Sequence, residues 1–110
     1  MNEEIMVFSF TRTGTELNRR LCGMLRQHGK NCRGYAAAKF AGDGIEPIPG
    51  KIREVIGKNW GKCSFFFIGA AGIAVRSIAP FVKDKFTDSA VLVLDEKGHY
   101  VIPLLSGHMG

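Results

Sequence analysis

The stretch 65–88, FFFIGAAGIAVRSIAPFVKDKFTD, limits the possible folds more than any other part of the chain. Residues 65–68 are an apolar run. The run breaks into Gly69-Ala70-Ala71-Gly72, and apolar residues then recur at helical period, so the segment reads as strand, tight turn and helix. In a parallel α/β sheet the binding edge lies at such turns, where strand carboxyl ends meet helix amino ends. Glycine at 69 and 72 permits positive φ and close approach of a ligand. The first amides of a helix lack internal partners and favour anions. Arg76, Lys83 and Lys85 follow within about four helical turns. Together these features suit a ligand carrying carboxylate or phosphate. The spacing lacks the first glycine of G-x-G-x-x-G and is not a G-x-x-x-x-G-K-[ST] loop. A plain strand–helix connection, whose glycines only let the helix pack on the sheet, fits the spacing equally well.

The rest of the chain supplies further units of the same kind. Residues 5–10 are rich in strand formers. Thr13 and Glu16 have the spacing of a capping box, and Leu17, Leu21, Met24, Leu25 and His28 then mark one helical face, closed by Gly29. The turn at 11–14 is a second place where a strand feeds a helix, and capping is its simpler use. Residues 32–37 predict a short strand and 40–49, with two glycines and two prolines, a loop. Ile52, Val55, Ile56 and Trp60 predict a helix ended by Gly61, with Trp60 as a core anchor. Residues 63–68 form the strand entering the glycine turn. In the helix after it Ile73, Ala74 and Ile78 face the sheet, Arg76 does not, and Pro80 ends or bends the helix. Residues 90–94 predict a buried strand, 95–98 a hairpin loop and 100–104 its partner strand, with Pro103 at an edge. The expected fold is a small three-layer α/β domain, a mostly parallel sheet flanked by helices with a terminal β-hairpin. A hairpin would carry Ser106-Gly107-His108 to the sheet edge opposite the GAAG turn unless the 80–89 segment first crosses back.

Charge and cysteine content narrow the ligand. Fifteen Lys and Arg against ten Asp and Glu leave +5, an excess that suits an acidic small molecule or nucleic acid. No tight basic run is interleaved with aromatics, so nucleic acid is the weaker choice. No apolar stretch approaches the roughly 20 residues of a membrane span. The start MNEEIMVFSF has acids where a signal peptide needs bases. Cys22, Cys32 and Cys63 lack C-x-x-C spacing and read as reduced, partly buried thiols of a cytoplasmic protein.

Four positions bear on chemistry. His108 is the candidate for proton transfer, because imidazole titrates near neutral pH and glycine neighbours leave it accessible. Ser106 lies in no G-x-S-x-G elbow and reads as a cap or substrate hydrogen-bond donor. Asp84 and Asp88 stand one helical turn apart and are expected to pair with Lys83 or Lys85. His28 and His99 lack partners at metal-ligand spacing, and no protein metal site is expected.

The words IGAAGIAVRSIAPFVKDKFTDSAVLVLDEKGHYVIPLLSGHMG resemble the amino-terminal domain of the cobalt-precorrin-5A hydrolase family, the cobalamin-biosynthesis protein G of the anaerobic pathway. The family's run is similar to G-A-A-G-I-A-V-R-x-I-A-P, then Lys-x-Lys, then Asp-Pro-Ala-Val, then L-L-S-G-H-x-G-G. The chain matches it at 69–80, Lys83, Lys85, Asp88, Ala90, Val91 and 104–110. It departs at Ser89, where the family usually has proline, a change expected to alter only loop stiffness. The close match covers about residues 65–110, and 1–64 fit more generally.

The resemblance implies a hydrolase that opens the lactone ring of a cobalt-bearing corrinoid and releases acetaldehyde. It also implies that residues 1–110 are one domain of a longer, multi-domain enzyme, cut after Gly110 and inactive alone. The partners would be the anionic corrinoid, which brings its own cobalt, and the remaining domains; no resident cofactor is required. Gly69, Ala70, Ala71, Gly72, Arg76, Lys83, Lys85, Ser106 and Gly107 would bind substrate. The GAAG amides and Arg76 would stabilise an oxyanion, and His108 would activate water. Two other classes remain open: a non-catalytic domain that grips corrinoid carboxylates, and a flavodoxin-like binder of a phosphate-bearing ligand.

Overall fold

The structure, a computed structural model, describes residues 4–106. Its centre is β1 (Glu4–Ser9), which pairs in parallel with β2 (Asn31–Ala36) on one side and β4 (Cys63–Ile68) on the other. The chain leaves β1 through α1 (Arg12–Gln27), adds β2 and then the short β3 (Ile45–Pro47). It returns through α2 (Ile52–Asn59) to β4, continues through α3 (Ala71–Ile78) to β5 (Ala90–Leu94), and ends with β6 (Val101–Ser106) antiparallel to β5. The sheet order is therefore β3-β2-β1-β4-β5-β6, as expected for an α/β fold with a terminal hairpin. Winding reverses between β1 and β4, and a doubly wound sheet has its ligand crevice outside the strand carboxyl ends at that point.

Strand alternation separates two cores. Met6, Phe8, Phe65, Phe67, Val91 and Val93 face α2 and α3, where they meet Val55, Ile56, Ala74 and Ile78. Val7, Ile68 and Leu94 face α1 with Cys22 and Cys32. Phe8 lies 5.3 Å from Phe67 and 6.4 Å from Phe65 between ring centroids. All three rings are fully buried, each worth about 1.5–3 kcal/mol of apolar burial. Trp60 stacks on Phe65 at 5.8 Å, the core anchor its spacing predicts.

The structure corrects several local expectations. The α1 cap is Thr11, not Thr13: its backbone is extended and its Oγ1 accepts the Gly14 N–H at 3.0 Å. Glu16 is then too far along the helix to close a capping box. The buried stripe of α1 is Thr15, Asn18 and Cys22, flanked by partly buried Leu17, Leu21 and Leu25, while Met24 is half exposed and His28 exposed. The helix is rolled toward a polar seam. Asn18 Nδ2 donates to Val7 O, Ser9 Oγ and Tyr35 O at 3.0–3.3 Å, and Gly34 leaves room for its amide. β2 starts and stops one residue earlier than expected, β3 lies inside the predicted loop, and β6 begins at Val101 and runs to Ser106. Cys22 and Cys32 are free thiols with sulfurs 3.1 Å apart, and both are fully buried rather than partly. No helix among the described residues is long and apolar enough to cross a membrane.

Candidate functional site

At the carboxyl edge the β4–α3 turn is built from two consecutive left-handed residues, Gly69 (φ 71°) and Ala70 (φ 57°). That conformation costs a residue with a Cβ about 1–2 kcal/mol, so Ala70 stores strain at the predicted site. The Gly69 N–H is tied to Leu94 O at 2.7 Å, which fixes the turn to β5. Ala70 caps α3 without a side-chain hydrogen bond, so the first amides of the helix stay available. Arg76 lies on the same helix but folds back over the first turn: a Cβ built on Gly72 would stand 3.3 Å from its Nη2. A Cβ at 72 would press the guanidinium outward by a few tenths of an ångström. A cation at a helix amino end opposes the helix dipole by about 0.3–1 kcal/mol, and an anion placed there reverses the sign. Arg76 has no ion pair among the described residues.

The crevice between the β1 and β4 turns is occupied by a side chain that sequence reasoning treated only as hairpin loop. Glu96 Oε2 accepts from Thr11 Oγ1 at 2.5 Å. It also stands 3.5 Å from the place of a Cβ on Gly69. Thr11 thus links the α1 amino end to the β5–β6 loop, and one carboxylate sits at the switch point. The contact spans 85 positions, and no local pattern marks it.

The other predicted residues lie elsewhere. β6 runs antiparallel, so Ser106 pairs with Ala90 at the start of β5, whereas the GAAG turn follows Ile68, which pairs with Leu94. Four strand residues separate them, about 13 Å. Here Lys83, Lys85 and Ser106 line one cavity of about 320 Å³ with Asp84, Asp88 and Leu104. Gly107 and His108 follow Ser106 in sequence and lie outside the described residues.

The acids of this edge do not pair with Lys83 or Lys85 as expected. Asp88 Oδ2 accepts the backbone N–H of Lys83 at 2.8 Å and of Asp84 at 3.0 Å, and its Oδ1 accepts Trp60 Nε1–H at 3.1 Å. Burial raises the Asp88 pKa, but the hydrogen bonds from Lys83, Trp60 and Asp84 outweigh it and hold the carboxyl below the usual range. Backbone amides claim this carboxylate because they are fixed beside it, while the lysine ends remain in solvent. Asp84 accepts from the Phe86 N–H at 2.9 Å. Ser89 does more than relax a loop: its Oγ accepts the Gly61 N–H at 2.8 Å, a bond proline cannot make. No three His, Cys, Asp or Glu side chains converge as metal ligands among the described residues.

A family model described as cobalamin synthesis G N-terminal matches residues 54–110. The chain belongs to this family. It is similar, at 41% identity over 109 residues, to the cobalt-precorrin-5A hydrolase of Salmonella typhimurium, with 98% of the chain aligned to 30% of that protein. The cobalt-precorrin-5A hydrolase of Priestia megaterium is 36% identical over 110 residues, covering 94% of the chain and 28% of that protein. The chain thus spans about 30% of the length of these relatives. The crystal structure of a cobalamin biosynthesis protein G homologue from Sulfolobus solfataricus shares the fold, with a TM-score of 0.73 over 97% of the chain and 30% of its own, at 23% identity. Both the GAAG edge and the Lys83–Lys85–Ser106 edge fall within the span of the cobalamin synthesis G N-terminal match.

Proposed function

We propose that the chain supplies the amino-terminal part of a cobalt-precorrin-5A hydrolase and binds the acid side chains of the corrinoid at the carboxyl edge of its sheet. One observation carries the reading: the Arg76 guanidinium rests over Gly72 at the open amino end of α3 without an acid partner among the described residues. A substrate carboxylate would supply the missing charge through a bidentate contact. Lactone opening needs an activated water and stabilisation of an oxyanion. The amides of 71–73 serve the second need. Glu96, oriented by Thr11, is the carboxylate placed to accept a proton from water at the switch point. Cobalt enters as part of the substrate.

A second reading rests on the 320 Å³ cavity, which gathers Lys83, Lys85 and Ser106. In that reading the lysines would hold the acids and His108, two residues on in sequence, would move the proton.

The test is acetaldehyde release by the complete enzyme with cobalt-precorrin-5A. With the carboxyl edge as the site, Arg76→Lys raises KM about fivefold, more at low than at high salt, because a point charge replaces the planar fork and exposed charges are screened. Glu96→Gln lowers kcat about 100-fold with KM nearly unchanged. Wild-type rates in both variants would move the chemistry to the other edge. No acetaldehyde from the wild-type enzyme would overturn the hydrolase reading itself.

A further inference from the structure

A second basic cavity lies on the carboxyl edge, on the far side of β1 from the GAAG turn. It measures about 210 Å³ and is lined by Arg12, Glu16 and Arg19 of α1 and by Lys39 and Phe40 of the turn after β2. With Thr15 and Ala41 the lining has seven residues, three of them cations. Arg19 is already engaged: its guanidinium donates to Gly42 O and Phe40 O at 3.2–3.3 Å and holds the turn against α1. Arg12 and Lys39 are not. Both approach the same ring, with Arg12 Cζ 5.5 Å and Lys39 Nζ 5.2 Å from the Phe40 centroid. Neither makes an ion pair or a hydrogen bond among the described residues, and Glu16 pairs with neither.

Two cations drawn to one ring in one cavity repel each other, and the ring returns only about 0.5–1 kcal/mol to each at an exposed site. An anion between them relieves the repulsion and keeps the ring contacts. We propose that this cavity binds a carboxylate, in which Arg12 and Lys39 hold one acid side chain of a polyacidic tetrapyrrole while another reaches Arg76. The inference rests on the corrinoid reading above and adds to it a second point of attachment. Both points lie at the carboxyl edge, where the turns after β2 and β4 flank β1, with α1 on one face of the sheet and α3 on the other. A macrocycle with acids around its rim can straddle that edge, whereas a small monoacid cannot.

The test is calorimetric titration of the protein with cobyrinic acid, with its methyl ester and with inorganic phosphate. Arg12→Gln and Lys39→Gln are compared with Arg20→Gln, an exposed cation on α1 outside the cavity. Arg12 and Lys39 are exposed, so melting curves are expected to match wild type. Each cavity variant should weaken cobyrinic acid about fivefold, Arg20→Gln should not, and the uncharged ester should bind poorly to all. Equal affinity for cobyrinic acid in wild type and the Arg12→Gln/Lys39→Gln double variant overturns the inference. Saturable phosphate binding that the double variant loses, with cobyrinic acid unaffected, overturns it in favour of a phosphate site. No binding of the polyacid by wild type also overturns it. The hydrolase reading is judged separately by acetaldehyde release.

Discussion

Replacing Asp88 with alanine tests how the Lys83–Lys85 segment is held. The carboxylate receives three hydrogen bonds, two from backbone amides of that segment and one from Trp60, and its side chain is buried. Removing it strands two backbone donors and an indole N–H. A hydrogen bond to a charged group is worth about 1.5–3 kcal/mol, and bonds sharing one acceptor do not add fully, so the expected loss is about 3 kcal/mol. For a domain of this size that lowers Tm by about 15 °C. The loss also depends on pH. The folded-state pKa of Asp88 is depressed, so its contribution is fully present above the unfolded value of about 3.9 and fades as pH falls through the folded value. Thermal unfolding followed by circular dichroism at pH 7 should separate wild type and Asp88→Ala widely, and the gap should close as the pH is lowered below 3.9. A difference under about 0.5 kcal/mol at pH 7 would show that the clamp does not hold the segment.

Two further outcomes can be measured. Gly34→Ala should destabilise by about 2 kcal/mol in urea unfolding, because its Cβ would stand 2.5 Å from Ile45 Cδ1 and 2.6 Å from Asn18 Oδ1; the Ile45 end can shift, but Asn18 is held by three bonds. His108→Asn in the complete enzyme should cut kcat about 100-fold and remove the acidic limb of the pH–rate profile if His108 activates water, and should raise KM alone if it only positions a carboxylate, which steady-state kinetics distinguishes.

The sheet and the GAAG turn were legible because both rest on local pattern. An apolar run, a glycine break and a helical period name a strand, a turn and a helix without knowledge of the rest. The buried stripe of α1 was not legible, since it depends on the bare backbone at Gly34, which lets Asn18 rather than a leucine face β1 and β2. The same holds for β3, a three-residue edge strand with Pro47 in it, whose pairing with β2 comes from position rather than propensity. Arg76 was legible as a basic residue near the turn, but its fold-back over Gly72 was not. Glu96 and Lys39 carried no signal, because each gains its meaning from a partner brought close by the topology.

The hairpin also decides how the predicted residues can cooperate. β5 is parallel to β4, so the 79–89 segment returns the chain to the amino edge before β5 begins, and β6 then brings it back there a second time. Both visits end at one cavity, which is why Lys83, Lys85 and Ser106 meet although 21 positions separate Lys85 from Ser106. The turns at the carboxyl edge gather in the same way around β1, with Arg76 on one side and Arg12 and Lys39 on the other. With about 13 Å between the edges, no single acid group touches both. A row of cations along one edge can meet the several acids of one polyacid at the same time, and the gain is that of linked sites rather than of any single pair. The basic excess of the chain therefore matters less as a total than as its division between two edges. The carboxyl edge joins its cations to a strained turn and an open helix end, whereas the amino-edge cavity is lined by a segment that Asp88 holds in place.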